Sequence, residues 1–186
     1  MIERKQTRVF TDTLAPTLIV AESRWARDPC AIATSKAGVV QLKNGFLQLE
    51  VSTAGKLKET RLVNRLTDEA VPAPRSLAFV IRTDRNELTS ADFKVARVDT
   101  SGSDEQASHL QVDLTAEKLD VTAHYELRRQ DHFYHKWLTL KNKGSGDLQV
   151  RDVVVSSLDL PRTVDLMAGQ ELTYPISRLE KGGFFS

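Results

Sequence analysis

Residues 119–128 read Leu119-Asp120-Val121-Thr122-Ala123-His124-Tyr125-Glu126-Leu127-Arg128, apolar at every odd position and polar at every even one. Ten residues of strict alternation describe an extended strand with one dry and one wet face, because successive side chains leave a strand on opposite sides. The preceding segment repeats the pattern with Leu110, Val112 and Leu114, and Ala116-Glu117 joins the two. Two alternating runs with a short connection predict an antiparallel hairpin.

Working outward, Leu47, Leu49 and Val51 alternate with Gln48, Glu50 and Ser52. Asn44-Gly45, the pair for which positive φ is easiest, predicts a tight turn between strands at 39–43 and 46–51. Ala54-Gly55 turns the chain into 57–64. Further strands are expected at 77–82, around Phe93, Val95 and Val98, at 133–140, and at 148–158 after Lys143-Gly144-Ser145-Gly146. Residues 100–106 form a polar loop. Helical periodicity is absent over any useful length, and prolines fall at segment ends, where they cost no ladder bond. The expectation is an all-β, antiparallel β-sandwich of ten or more strands spanning residues 38–186. Residues 1–37 read as an N-terminal arm with short strands at 8–10 and 17–20 and a helical turn at 21–26.

The chain has 186 residues, 40% of them hydrophobic, which suits one domain with a real core. Its 26 basic and 25 acidic residues leave a net charge of +1. Such a balance makes no long-range field to gather nucleic acid or anionic lipid, and Arg4, Lys5 and Arg8 read as a solvated arm. No stretch approaches the ~20 apolar residues of a membrane span. The apolar run 14–21 contains Pro16 and lacks a cleavage pattern, so export would need a signal absent from this chain, and location stays open. A single cysteine, Cys30, excludes an internal disulfide and a Cys-only metal site, and reads as a quiet, half-buried thiol.

The phosphate-cradling glycine motifs and the Gly-x-Ser-x-Gly elbow are absent. No cofactor or metal is expected. His132 and His135 lie three apart, on opposite faces of a strand, so the bland reading of sheet-surface histidines outweighs a metal site shared with His124 or His109. Carboxylates are plentiful (Asp68, Glu69, Asp104, Glu105, Asp113, Asp120, Asp152, Asp159, Asp165), and glycoside hydrolysis needs two of them across a sugar. Most fall in turns or on wet faces, and ordinary solvated carboxylates are the simpler account. Trp25, Tyr134, Trp137, Tyr174, Phe184 and Phe185 are the candidates for a sugar-stacking or docking surface, flat aromatics suiting both. For Trp137, core filling is weighed ahead of a platform. Phe184 and Phe185 follow Gly182-Gly183 and read as a strand cut short, so the chain is expected to be part of something longer.

The second half then shows a resemblance. The 119–128 run, the segment His132-Phe133-Tyr134-His135-Lys136-Trp137-Leu138-Thr139-Leu140-Lys141-Asn142-Lys143-Gly144, and Leu148-Gln149-Val150-Arg151-Asp152-Val153-Val154-Val155 resemble the amino-terminal β-supersandwich of α-galactosidase-like glycoside hydrolases, a galactose mutarotase-like fold. The hairpin at 44–51 and the closing Ala168-Gly169-Gln170 and Gly183-Phe184-Phe185 are similar to the family's first hairpin and last strand. The resemblance covers residues 38–186. It implies a non-catalytic accessory domain, a catalytic (β/α)₈ barrel C-terminal to it as partner, and a carbohydrate ligand. The family's catalytic carboxylates lie on that barrel, so no catalytic residue carries over. Alternatives from other classes are a stand-alone carbohydrate-binding module, a sugar epimerase using a His and a carboxylate in one concave face, and a purely structural sandwich.

Overall fold

The alternation at 107–128 becomes a hairpin of two long strands, Ala107–Thr115 and Leu119–Arg128, whose odd-phase and even-phase side chains divide between core and solvent along their length. The computed structural model describes residues 28–73, 76–157, 163–165, 177–179 and 184–185. In chain order the strands are β1 Ala31–Thr34, β2 Val39–Lys43, β3 Leu47–Ser52, β4 Lys58–Asn64, β5 Glu69–Pro72, β6 Val80–Thr83, β7 Glu87–Thr89, β8 Lys94–Asp99, β9 Ala107–Thr115, β10 Leu119–Arg128, β11 His135–Asn142, β12 Val150–Val154, β13 Thr163–Asp165, β14 Ser177–Leu179 and β15 Phe184–Phe185. Every pairing among them is antiparallel. One 3-10 turn at Ser90–Asp92 interrupts the strands. The short strands and helical turn expected within residues 1–27 lie outside the described residues. Among the described residues no helix is long and apolar enough to cross a membrane.

The protein is an antiparallel all-β sandwich. One sheet has the order β1-β2-β3-β4-β5 and the other β11-β10-β9-β8. Val40, Leu42, Leu49 and Val51 from the first meet Leu110, Val112, Leu114, Val121, Ala123, Tyr125 and Leu127 from the second in one core. Each valine and leucine among them contributes roughly 1.5–3 kcal/mol by leaving water. Phe79 and Phe93 close one side of this core with an edge-to-face contact at 5.3 Å. β6, β7 and β12 form a small third sheet of order β12-β6-β7, and β13, β14 and β15 a fourth. The 143–146 turn thus leads out of the main sheet: β12 pairs with β6, with Asp152 ion-paired to Arg82 at 2.7 Å. β1 belongs to the five-stranded sheet, so the segment from Ala31 is built into the sandwich.

The Asn44 turn forms where expected but for a different reason. Asn44 is not at positive φ; among the described non-glycine residues only Asp68 is. Instead its side chain does the turning: Oδ1 accepts from the amides of Phe46 and Leu47, both at 2.8 Å. Its Nδ2 donates to the carbonyls of Arg128 (2.7 Å) and Asp131 (2.8 Å), so this fully buried amide fastens the β2–β3 hairpin to the β10–β11 turn. The Ala54-Gly55 turn does use a positive φ, 75° at Gly55.

A buried ionic cluster ties the two sheets together. On β4 the register shifts so that Glu50 opposes Arg61 while Val51 opposes Glu59, leaving Thr60 as the extra residue of a bulge. The bulge turns Glu59 inward beside the core. There its carboxylate receives Lys136 of β11, whose side chain is 5% exposed against 1% for Glu59. Tyr125 Oη donates to Glu59 Oε1 at 3.1 Å and Ser156 Oγ to Oε2 at 2.7 Å, with Tyr134 Oη 3.5 Å away. Lys136 also donates to the Ala78 carbonyl and sits 4.9 Å from the centre of the Tyr125 ring. Burial pushes the Lys136 pKa down against the opposing pull of Glu59, and burial raises both tyrosines, Tyr125 far above its usual value.

Breaking this pair one-sidedly strands a buried charge, which costs about 3–5 kcal/mol, whereas an apolar pair of similar volume is close to neutral. Lys136→Met alone should therefore lower the urea-unfolding free energy by that amount, and Glu59→Leu/Lys136→Met should recover most of it; equal losses in single and double variants would contradict this. In alkali the signs oppose. A lysine with a lowered folded pKa adds stability as pH rises toward ~10.4, while tyrosines with raised folded pKa values lose stability once the unfolded chain ionises near ~10. Two tyrosines against one lysine make the net effect a loss above about pH 10, and Tyr134→Phe should shallow that loss in a pH series of unfolding midpoints.

Candidate functional site

The outer face of the four-stranded sheet carries a row of directly opposed side chains, one from each strand. Trp137 on β11 faces His124 on β10, His124 faces Gln111 on β9, and Gln111 faces Asp99 on β8. Alternation places all four on the wet side. Trp137 is 44% exposed, and its indole lies parallel to the His124 imidazole, 4.9 Å between centres with planes 4° apart. The core-filling expectation for Trp137 is thus corrected: it shares the phase of Thr139 and Lys141, while Leu138 and Leu140 turn inward against the core.

These residues line a hollow of about 370 Å³ with His109, Ser101 and Gly102. The His124–Trp137 stack forms one wall and the β8–β9 turn the other. Asp99 Oδ1 accepts from the Ser101 amide at 2.9 Å, and the Ser101 hydroxyl together with that amide holds its carboxyl below the usual range, so Asp99 is an ionised acceptor at neutral pH. Gln111 Nε2 donates to Asp113 Oδ1 at 3.1 Å, and Thr122 donates to the same oxygen at 2.9 Å. His109 Nδ1 lies 3.6 Å from Glu126 Oε2, and its backbone is held by the Ser103 hydroxyl. His124 Nε2 is 3.2 Å from Thr139 Oγ1; burial lowers its pKa, against Asp113, which raises it. At neutral pH the hollow therefore offers an acceptor carboxylate, an amide and two imidazoles beside an exposed aromatic wall.

The other candidates fall elsewhere. The Tyr134 hydroxyl turns into the Glu59 cluster. Phe184 and Phe185 form β15, paired with β14, and their side chains, like Trp25 and Tyr174 entirely, lie outside the described residues. His132 lies against Phe46, 3.9 Å between rings, while His135 Nε2 is 3.3 Å from Asp131. Among the carboxylates weighed for hydrolysis, Asp104 caps its own loop at Gln106 and Ala107, Asp120 binds Thr115 and Lys143, and Asp152 binds Arg82. Asp159 lies outside the described residues. Cys30 is buried, its Sγ 3.3 Å from the Leu127 carbonyl, and burial raises its pKa. Among the described residues no group of three or more His, Cys, Asp or Glu is arranged to hold a metal ion.

Asp99 and Gln111 were not singled out from sequence; only the four-strand register puts them in line with Trp137. No protein-family model matches the chain, and no curated protein matches it.

A protonated imidazole in contact with indole quenches its fluorescence, so the stack reports on His124. In a Trp25→Phe background, Trp137 emission should fall on acidification with a midpoint below the ordinary histidine value of ~6.5, and His124→Ala should abolish the transition. Because the folded pKa is lowered, the unfolded chain takes this proton first as pH falls, so the same protonation also lowers stability below ~6.5. A midpoint above 6.5 would show that burial does not govern this ring.

Proposed function

We propose that the chain is a carbohydrate-binding, non-catalytic β-sandwich, an accessory domain of a glycoside-hydrolase-like protein, with the hollow on the β8–β11 face as its sugar site. The observation that carries this is the cross-strand row Trp137–His124–Gln111–Asp99. A sugar presents an apolar ring face and a rim of hydroxyls, each both donor and acceptor. An exposed flat ring system answers the first, and an ionised carboxylate, an amide and imidazole nitrogens answer the second. The likeness of residues 38–186 to the supersandwich of α-galactosidase-like enzymes supports the accessory role and names a catalytic barrel of the same protein as partner.

A second reading, sugar epimerisation, is favoured by one observation: His109 and His124 share the hollow with Asp99. Acid–base chemistry needs a carboxyl poised near neutrality. Asp99 is held below its usual range by the Ser101 contacts, which makes it a weak base and places binding first.

Calorimetric titration with neutral mono- and disaccharides should show binding that Trp137→Ala weakens at least tenfold, about 1.4 kcal/mol, with little change in melting temperature because the ring is exposed. If no sugar binds at millimolar concentration, the sugar-site reading is wrong. Polarimetry on the same samples decides the second reading: accelerated mutarotation abolished by His124→Ala would make the chain an enzyme.

A further inference from the structure

We infer that the sugar site continues along the edge strand β11 to a second ring, Phe133, so that the ligand is a glycan chain rather than a single sugar. The inference rests on the sugar-binding reading above and extends it. Among the described residues, the two most exposed large apolar side chains are Phe133 (57%) and Trp137 (44%). Both belong to the same stretch at the margin of the sheet. Phe133, two residues ahead of β11, sets its ring against His135 at 5.0 Å in an edge contact. His135 shares the outward phase of Trp137, and Trp137 stacks on His124. Two ring contacts, Phe133–His135 and His124–Trp137, thus lie along β11, with His135 and Trp137 in one outward phase.

Phe133 lies in the bend ahead of β11 and Trp137 is the third residue of that strand, four positions on, a reach of at most roughly 13 Å. A reach up to that length has room for more than one pyranose ring. The rings alternate with hydrogen-bonding groups: His135 near Asp131, His124 near Thr139. The exposed aliphatic residues Leu66, Val98 and Val150 lie on other segments. A protein-docking patch has a contiguous dry centre; rings spaced by polar groups on an open strand edge fit a polyhydroxylated chain with alternating apolar faces and hydroxyl rims. Among the described residues β11 has a strand neighbour only on its β10 side.

The test titrates the full chain with neutral cello-, malto- and galacto-oligosaccharides of one to six units. Affinity should rise at least tenfold from monosaccharide to hexasaccharide in the series that binds. The loss caused by Phe133→Ala should grow with chain length, reaching about tenfold at six units, whereas the loss caused by Trp137→Ala should be similar at every length. A hexasaccharide no tighter than a monosaccharide, or a Phe133→Ala loss independent of length, overturns the extended site while leaving the sugar-binding reading standing. Absence of binding by every sugar overturns both, and self-association abolished by Phe133→Ala would instead assign the rings to a protein contact.

Discussion

A lysine ammonium shut away from water stays charged only beside a carboxylate, and the contact between Lys136 and Glu59 is the constraint on which the outer face depends. Among the described residues β11 is an edge strand, paired on one side only. Its inward anchor is this lysine, joined across the sandwich to β4 and to the carbonyl of Ala78 ahead of β6. Trp137 is the next residue along the same strand. An edge strand tethered through its inward side chains can present its outward ones at a fixed height, and the parallel His124–Trp137 stack is what that fixation yields. The two tyrosine hydroxyls and Ser156 complete the hydrogen bonding of the carboxylate, which lets a charged group stand in an otherwise apolar layer.

Much of the architecture was legible because alternation is a local signal. The β9–β10 hairpin, the β2–β3 hairpin and the Gly55 turn follow from side-chain phase and turn residues alone. The partition of the hairpins into sheets was not legible. Nothing local tells 150–154 to leave β11 and pair with β6, since the ion pair that joins them spans 70 residues of sequence. Glu59 was hidden by the bulge at Thr60: strict alternation back from Leu62 puts Glu59 outside, and only the two-against-one register turns it in. Lys136 was legible in principle, being in phase with Leu138 and Leu140. Trp137 was misjudged by giving residue type more weight than phase, although Thr139 and Lys141, which follow it in the same phase, mark its face as wet.

The hollow illustrates how a sheet makes a site from residues with no common motif. Asp99, Gln111, His124 and Trp137 are scattered over four strands, and each alone is an unremarkable surface residue. Pairing brings their side chains to neighbouring positions in one row. The row is therefore a property of register: a slip of one residue in the β9–β10 pairing would put half of it out of phase with the other half. The Asp99–Ser101 contact at the hairpin end and the Thr122–Asp113–Gln111 contacts across its middle help hold that register in place.

The buried amide of Asn44 has a consequence for the order in which the sandwich assembles. Its two turn contacts, to Phe46 and Leu47, close within three residues, whereas its contacts to Arg128 and Asp131 span 84 and 87 residues. Contacts so distant in sequence carry the loop-closure entropy of a large chain segment and come after local hairpins. One side chain thus takes part in an early event and a late one: it shapes a turn while the chain is still open, then latches the two sheets once they have met. The slow step of assembly is in that case the meeting of two preformed sheets, and Asn44 marks its completion.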